Sequence, residues 1–198
     1  MNIIKKLSIQ DHRTIRQLLR LFHQVDKETI RFKRMTGIRC PDNCGACCMR
    51  PDVETTALEM LPLAVELWAQ NTADYWLEKI ERSLYPGLCV FFEADPVTSG
   101  NGRCRIYALR PLICRLFGFF TVKNKHDEYV YGSCKIIRAK YPQSYQKTQQ
   151  MLKDGFHPSN MTDFTVQVLC IGSDLGRKMH PINIAASIAL EKVWFTLR

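Results

Sequence analysis

A chain of 198 residues, 46% of them hydrophobic, can bury one ordinary core, so a metal is not needed to rescue a miniature fold. Its formal charge of +9 is uneven: ten basic and three acidic residues fall in 1–39, three and eight in 40–88, nine and four in 89–140, six and four in 141–198. That balance suits nucleic acid, an anionic membrane surface or compensation of anionic metal–thiolate centres, and alone decides nothing among them.

From Asp11 to about Arg34, apolar residues recur at helical spacing (Ile15, Leu18, Leu19, Phe22, Val25, Ile30), with Arg13, Arg16, Arg20, Lys27, Arg31, Lys33 and Arg34 between them. This predicts one basic amphipathic helix, stopped by Gly37 and packed on the domain, with membrane-surface or RNA binding as its alternative use. A cysteine loop with the turn residues Pro41, Asn43 and Gly45 follows. Thr55 or Thr56 caps an acidic helix through Ala57–Gln70, bent or restarted near Pro62. Asn71 or Thr72 opens another through about Ser83, ended by Pro86-Gly87.

Short strands are expected at Leu88–Phe92 and Arg103–Tyr107, and a hairpin from Phe117–Val122 and Glu128–Tyr131 around Asn124–His126. Between them Leu109–Leu116 reads as a short helix with Pro111 in its first turn. The tail holds a helix near Ser144–Leu152 and a closing helix from about Pro181 to Phe195. The expected architecture is α+β: a mainly helical single domain with short β-hairpins and loops around a cysteine-lined metal centre. Its parts are a basic amphipathic N-terminal helix (1–37), a cysteine-cluster core (38–140) and a C-terminal helical extension of the same domain (141–198).

Eight of the nine cysteines form one block: Cys40, Cys44, Cys47 and Cys48 in CPDNCGACC, then Cys89, Cys104, Cys114 and Cys134. MNIIKKLSIQDHR has basic residues but no apolar region behind them, and no apolar run nears the roughly 18 residues of a membrane helix. A cytoplasmic protein is therefore expected, and there thiols stay reduced and clustered cysteines read as ligands. A disulfide scaffold is disfavoured further by the odd count and by the poor disulfide geometry of Cys47-Cys48.

Four thiolates around one tetrahedral metal converge within about 4 Å of one another, and Cys40, Cys44 and Cys47 can come from a single loop wrapped at Gly45. Adjacent side chains tend to diverge, so Cys47 and Cys48 are expected to face two centres. Eight thiolates then suggest two four-cysteine sites, or one full cluster with a smaller companion, with the distal cysteines unassigned. Sulfur donors favour an iron–sulfur cluster or zinc over hard cations. Arg103, Arg105, Arg110 and Arg115 interleave with Cys104 and Cys114, where they could offset thiolate charge.

CPDNCGACC, then Cys89-Val-Phe-Phe, then RCRIYALRPLICRLFG, resembles the YkgJ-like cysteine-cluster family, a zinc- or iron-chelating domain, over roughly residues 38–136. The resemblance implies metal ligation by Cys40, Cys44, Cys47, Cys48, Cys89, Cys104, Cys114 and Cys134. It also marks Tyr107, Arg110, Pro111 and Arg115 as motif residues. The family opens with CxxCxxCC, whereas the first spacing here is one residue longer, and ADPVTSGNG looks like an insertion between Cys89 and Cys104.

Cys40-x3-Cys44-x2-Cys47 also matches the radical S-adenosylmethionine spacing, but Ala46 stands where that family usually has an aromatic residue and no strand–helix repeats follow. His12, His23, His126, His157 and His180 form no ligand-like pair, and Cys170 reads as a small buried apolar residue. No nucleophile elbow, P-loop or dinucleotide fingerprint is present.

The expected function is metal binding, with an iron–sulfur cluster in a redox or structural role preferred over zinc, and a redox or protein partner unspecified. The alternatives are a zinc-braced module that binds nucleic acid or a partner, and a metal-dependent enzyme or accessory. The last follows from a related cysteine cluster that accompanies lysine methylation of flagellin in some proteins.

Overall fold

The computed structural model describes residues 7–83, 87–158, 160–172 and 174–198. Helix α1 (Ile9–Thr36) is the basic amphipathic helix expected from the periodicity. Ser8 caps it by accepting from the Asp11 N–H at 3.0 Å, and Gly37 ends it at φ 73°, donating back to the Lys33 carbonyl. Leu18, Leu21, Phe22, Val25 and Phe32 form its buried stripe, while the arginines face solvent.

Strand β1 (Glu54–Thr56) leads into α2 (Ala57–Ala69), which starts at a capping box between Thr56 and Glu59. The helix runs without interruption through Pro62, where a bend or restart was expected. Almost its whole circumference is buried, largely against α8 (Ile182–Leu197), and that packing outweighs one missing backbone hydrogen bond. Helix α3 (Ala73–Glu81) stops two residues before the expected end, and Pro86 of the expected stop lies outside the described residues.

Strands β2 (Phe92–Ala94) and β3 (Gly102–Cys104) pair antiparallel, and β4 (Phe120–Lys123) and β5 (Tyr129–Gly132) form the second expected hairpin. A 3-10 turn at Tyr107–Leu109 and α4 (Leu112–Leu116) lie between the hairpins, with Pro111 as the residue before the helix. After β5 come α5 (Lys135–Lys140), α6 (Pro142–Lys153) and α7 (Met161–Cys170). Strand β6 (Met179–Pro181) then pairs antiparallel with β1 and feeds α8.

The result is a mainly helical α+β architecture with three two-stranded sheets among the described residues. Its apolar interior has two parts. The larger gathers side chains of α1, α2, α3, α4, α7 and α8 around Leu58, Met60, Phe91 and Leu190. The smaller consists of Phe32, Ile38, Phe119, Tyr131, Ile137 and Leu152, beneath the second hairpin and α5–α6. Among the described residues no helix is long and apolar enough to cross a membrane.

One buried carboxylate joins the first half of the chain to the cysteine region. Glu59 accepts from the Thr56 N–H and hydroxyl, and its second oxygen accepts from the Leu112 N–H at 2.7 Å, at the start of α4. Glu59→Ala removes the cap and orphans a buried donor, and should destabilise the fold by about 2–4 kcal/mol in a denaturant titration. A loss below about 0.5 kcal/mol would show that water replaces the carboxylate at Leu112.

Candidate metal centre

The cysteine loop is held on the first hairpin. Gly45 donates to the Gly100 carbonyl at 3.1 Å, and Gly102 donates to the Asn43 carbonyl at 2.8 Å. A β-carbon on Gly45 would lie 2.3 Å from the Phe92 ring, so this position needs glycine for close packing. One helical turn follows, with the Cys48 and Met49 N–H groups both donating to the Gly45 carbonyl at 2.9 and 3.2 Å. That turn brings the sulfurs of Cys47 and Cys48 to 4.0 Å, where divergence was expected.

Cys89 and Cys104 sit in matching turns. The N–H groups of Phe91 and Phe92 point at the Cys89 sulfur, and that of Ile106 at the Cys104 sulfur. These turns replace the strands expected at Leu88–Phe92 and Arg103–Tyr107, so that ladder pairing is confined to 92–94 and 102–104. Phe92 stands opposite Cys104 in the ladder, and Arg105 donates to the Phe91 carbonyl at 2.9 Å, which puts the two turns side by side. Asn183 of α8 pins the first turn: its side-chain oxygen accepts from the Val90 N–H at 3.0 Å and its amide donates to the Leu88 carbonyl at 2.9 Å. Nothing in the sequence marked Asn183, which has no cysteine nearby and sits within an ordinary helix.

Cys114 comes from α4, one residue before Arg115, and Cys134 precedes α5 as its cap residue. Arg115 is 5% exposed and does not face sulfur as expected. It pairs with Asp26 of α1 at 2.6 Å, donates to the carbonyls of Ala108 and Arg110, and stacks over Phe22 at 4.5 Å. Arg115 therefore clamps the turn that presents Arg110.

Arg110 lies 3.6 Å over the Tyr107 ring, donates to the Tyr107 carbonyl at 3.1 Å, and acts electrostatically on Cys47, Cys104 and Cys114. Tyr107 is 62% exposed and serves as a platform for Arg110. Arg103 and Arg105 instead pair with Glu93 at 2.5 and 3.2 Å. Cys170 is exposed at the end of α7, contrary to its expected burial, because only Phe164 and Val168 of that helix turn inward. His126 is exposed in the turn between β4 and β5.

Burial, and for Cys47 and Cys48 each other, shift several of these thiols. Cys40 is exposed as a residue, yet partial burial of its sulfur and the neighbouring Cys44 push it up to about 12. Burial likewise pushes Cys89 up to about 12, and raises Cys104 and Cys114. Cys47 runs the other way: the hydrogen bond from Cys48, reinforced by Arg110, lowers it to about 6, while Cys48 is raised as the proton holder of the pair.

As they stand, no three His, Cys, Asp or Glu side chains among the described residues converge to hold a metal ion. The thiols approach as pairs, and turning a cysteine between staggered rotamers moves its sulfur by about 3 Å. An all-sulfur donor set with N–H groups aimed at two of its sulfurs and a guanidinium beside three fits zinc or iron.

In the reduced, metal-free protein at pH 7, limiting iodoacetamide should therefore label Cys47 ahead of Cys40, Cys89 and Cys114, and Arg110→Gln should slow that labelling. Peptide mapping by mass spectrometry reads the order. Labelling of Cys47 last among these four would contradict the charge arrangement.

No curated protein and no solved structure matches the chain. The family model CxxCxxCC, described as "Putative zinc- or iron-chelating domain", matches residues 39–151, more than half of the chain and all of the cysteine block. The loop, the paired cysteine turns and the Arg110 platform thus lie within one known domain, and the chain belongs to the CxxCxxCC family.

Proposed function

We propose that this protein holds an iron–sulfur centre through its clustered thiolates and uses it for electron transfer or redox sensing in a reducing compartment. The observation that carries the reading is the graded burial of an all-thiol donor set, from buried Cys89 through half-buried Cys44, Cys47, Cys48, Cys104, Cys114 and Cys134 to exposed Cys40. A centre with one side in the core and the other at the surface is reachable by an electron partner, whereas a purely bracing metal gains nothing from exposure. Sulfur-only ligation suits iron–sulfur clusters and admits zinc.

The chain's own groups have separate tasks. The cysteines supply anionic ligands, the N–H groups of Phe91, Phe92 and Ile106 stabilise thiolate charge, and Arg110 offsets it. Bound iron–sulfur would supply one-electron chemistry. Burial keeps Cys89 and Cys114 protonated near neutrality, so loading displaces protons and binding strengthens as pH rises.

Protein purified without oxygen and without added metal should carry iron and acid-labile sulfide and absorb broadly in the visible. Colourless protein with zinc and no iron would overturn the redox reading while leaving metal binding in place.

A second reading, a metal-braced nucleic-acid-binding module, rests on α1. Arg13, Arg20, Lys27 and Arg34 recur every seventh residue on its exposed surface, with Arg16 and Arg31 beside them. Within this stripe only Arg31 has an acidic partner among the described residues, Glu28 at 3.8 Å. If the stripe lies along a phosphate backbone, the triple variant Arg20→Glu/Lys27→Glu/Arg34→Glu should weaken binding to a random single-stranded RNA and lower the log–log salt slope by about 2. Salt-independent or absent binding by the unaltered protein would remove this reading.

A further inference from the structure

Eight clustered cysteines can serve one centre or two, and the packing distinguishes these. Cys89 belongs to the larger apolar cluster, and Cys48, Cys104 and Cys114 pack against it. Cys134 packs against the smaller cluster, with Phe32, Ile38 and Ile137, and its β-carbon lies next to Gly118. Among the described residues Cys40, Cys44 and Cys47 pack on neither cluster, and they lie along the outer loop.

Backbone bonds sharpen the division. The Cys89 N–H donates to the Cys48 carbonyl at 3.2 Å, which joins Cys48 to the turn of Cys89, while the ladder joins that turn to Cys104. On the outer side the Cys44 N–H donates to the Pro41 carbonyl at 3.3 Å, folding Cys40 back toward Cys44. Cys47 and Cys48, with their sulfurs 4.0 Å apart in one turn, stand where the outer loop meets the inner turns.

We infer that the eight thiols form two four-thiolate metal centres, an inner one of Cys48, Cys89, Cys104 and Cys114 and an outer one of Cys40, Cys44, Cys47 and Cys134, which meet at the Cys47–Cys48 peptide. The electrostatic neighbourhoods run the same way for every cysteine but Cys47. Cys48 feels Cys89 and Cys104, Cys114 feels Cys89 and Cys104, and Cys40 feels Cys44 and Cys134, while Cys47 is felt by Cys40 on the outer side and by all four inner thiols. The inner centre sits against the core and holds its metal, and the outer one, with an exposed cysteine, exchanges it.

This inference rests on the metal-binding reading above and divides its ligands. The test loads reduced full-length protein with zinc alone, removes excess by desalting, and counts metal per chain by mass spectrometry with circular dichroism as the folding control. The unaltered protein should hold two zinc ions. Cys134→Ser should hold one, and so should the double variant Cys40→Ser/Cys134→Ser, because both losses fall in the outer centre. Cys104→Ser should also hold one, whereas Cys104→Ser/Cys134→Ser should hold none tightly.

A mild chelator should strip one ion from the unaltered protein well before the second. It should leave the ion of Cys134→Ser in place and take the ion of Cys104→Ser quickly. Should the inner variants lose the fold, the outer variants and the two-step stripping decide the matter, since they spare the core. Two zinc ions in the unaltered protein with none in Cys40→Ser/Cys134→Ser would overturn the division. Loss of the same ion, by its stripping rate, from Cys47→Ser and Cys48→Ser would do so too, by making that pair a chelate of one metal. One ion in the unaltered protein would sink the two-centre inference but leave metal binding standing, and no ion at all would sink both.

Discussion

A buried guanidinium is tolerable only when its donors are met, and Arg115 meets its own with a carboxylate from one helix and two carbonyls from one turn. The three partners are 89, seven and five residues away, so the ion pair with Asp26 closes a long loop while the carbonyl bonds shape a short one. Breaking either side would leave a charge stranded against Phe22, which makes the arrangement all-or-none. The 3-10 turn at Tyr107–Leu109, the position of Arg110 over Tyr107, and the entry into α4 with Cys114 all inherit their place from it. An arginine that binds no sulfur thereby decides where the sulfurs' counter-charge stands.

The long helices were legible because their signals are redundant. In α1 an apolar period from Ile15 to Ile30 and a terminal glycine agree, and in α2 a threonine cap announces the start. Helices α5 and α7 were not foreseen. The first is six residues with Ile137 as its one buried side chain, too short to show a period, and the second carries Thr and Val where helix propensity is low and buries only Phe164 and Val168. The β1–β6 pair was equally hidden, since three-residue strands 125 positions apart leave no local trace.

The cysteine region shows a subtler loss. Leu88–Phe92 and Arg103–Tyr107 have strand-like composition, yet both segments turn just after a cysteine: the Phe92 N–H donates to the Cys89 carbonyl at 3.0 Å, and a 3-10 turn begins at Tyr107. Apolar runs report burial, and Val90, Phe91 and Ile106 are indeed buried, but burial does not say whether the backbone is extended. The cysteines were legible as a set. Their supports were not, since Asn183 and Asp26 act from helices remote in the chain.

The basic excess of residues 89–140 resolves into unlike parts. Arg103 and Arg105 are spent on Glu93, and Arg115 on Asp26 and two carbonyls. Arg110 is left as the cation of that motif whose field reaches the thiols, lowering Cys47, Cys104 and Cys114 against the burial that raises the last two. A single half-buried guanidinium cannot neutralise eight thiolates, and burial makes Cys40, Cys89, Cys104 and Cys114 costly to ionise. The metal-free state accordingly keeps these four protonated and lets Cys47 ionise ahead of them at the boundary between loop and core. A metal arriving from solvent would meet that thiolate at the point where the outer loop joins the inner turns, and every further ligand would have to give up its proton to the incoming charge.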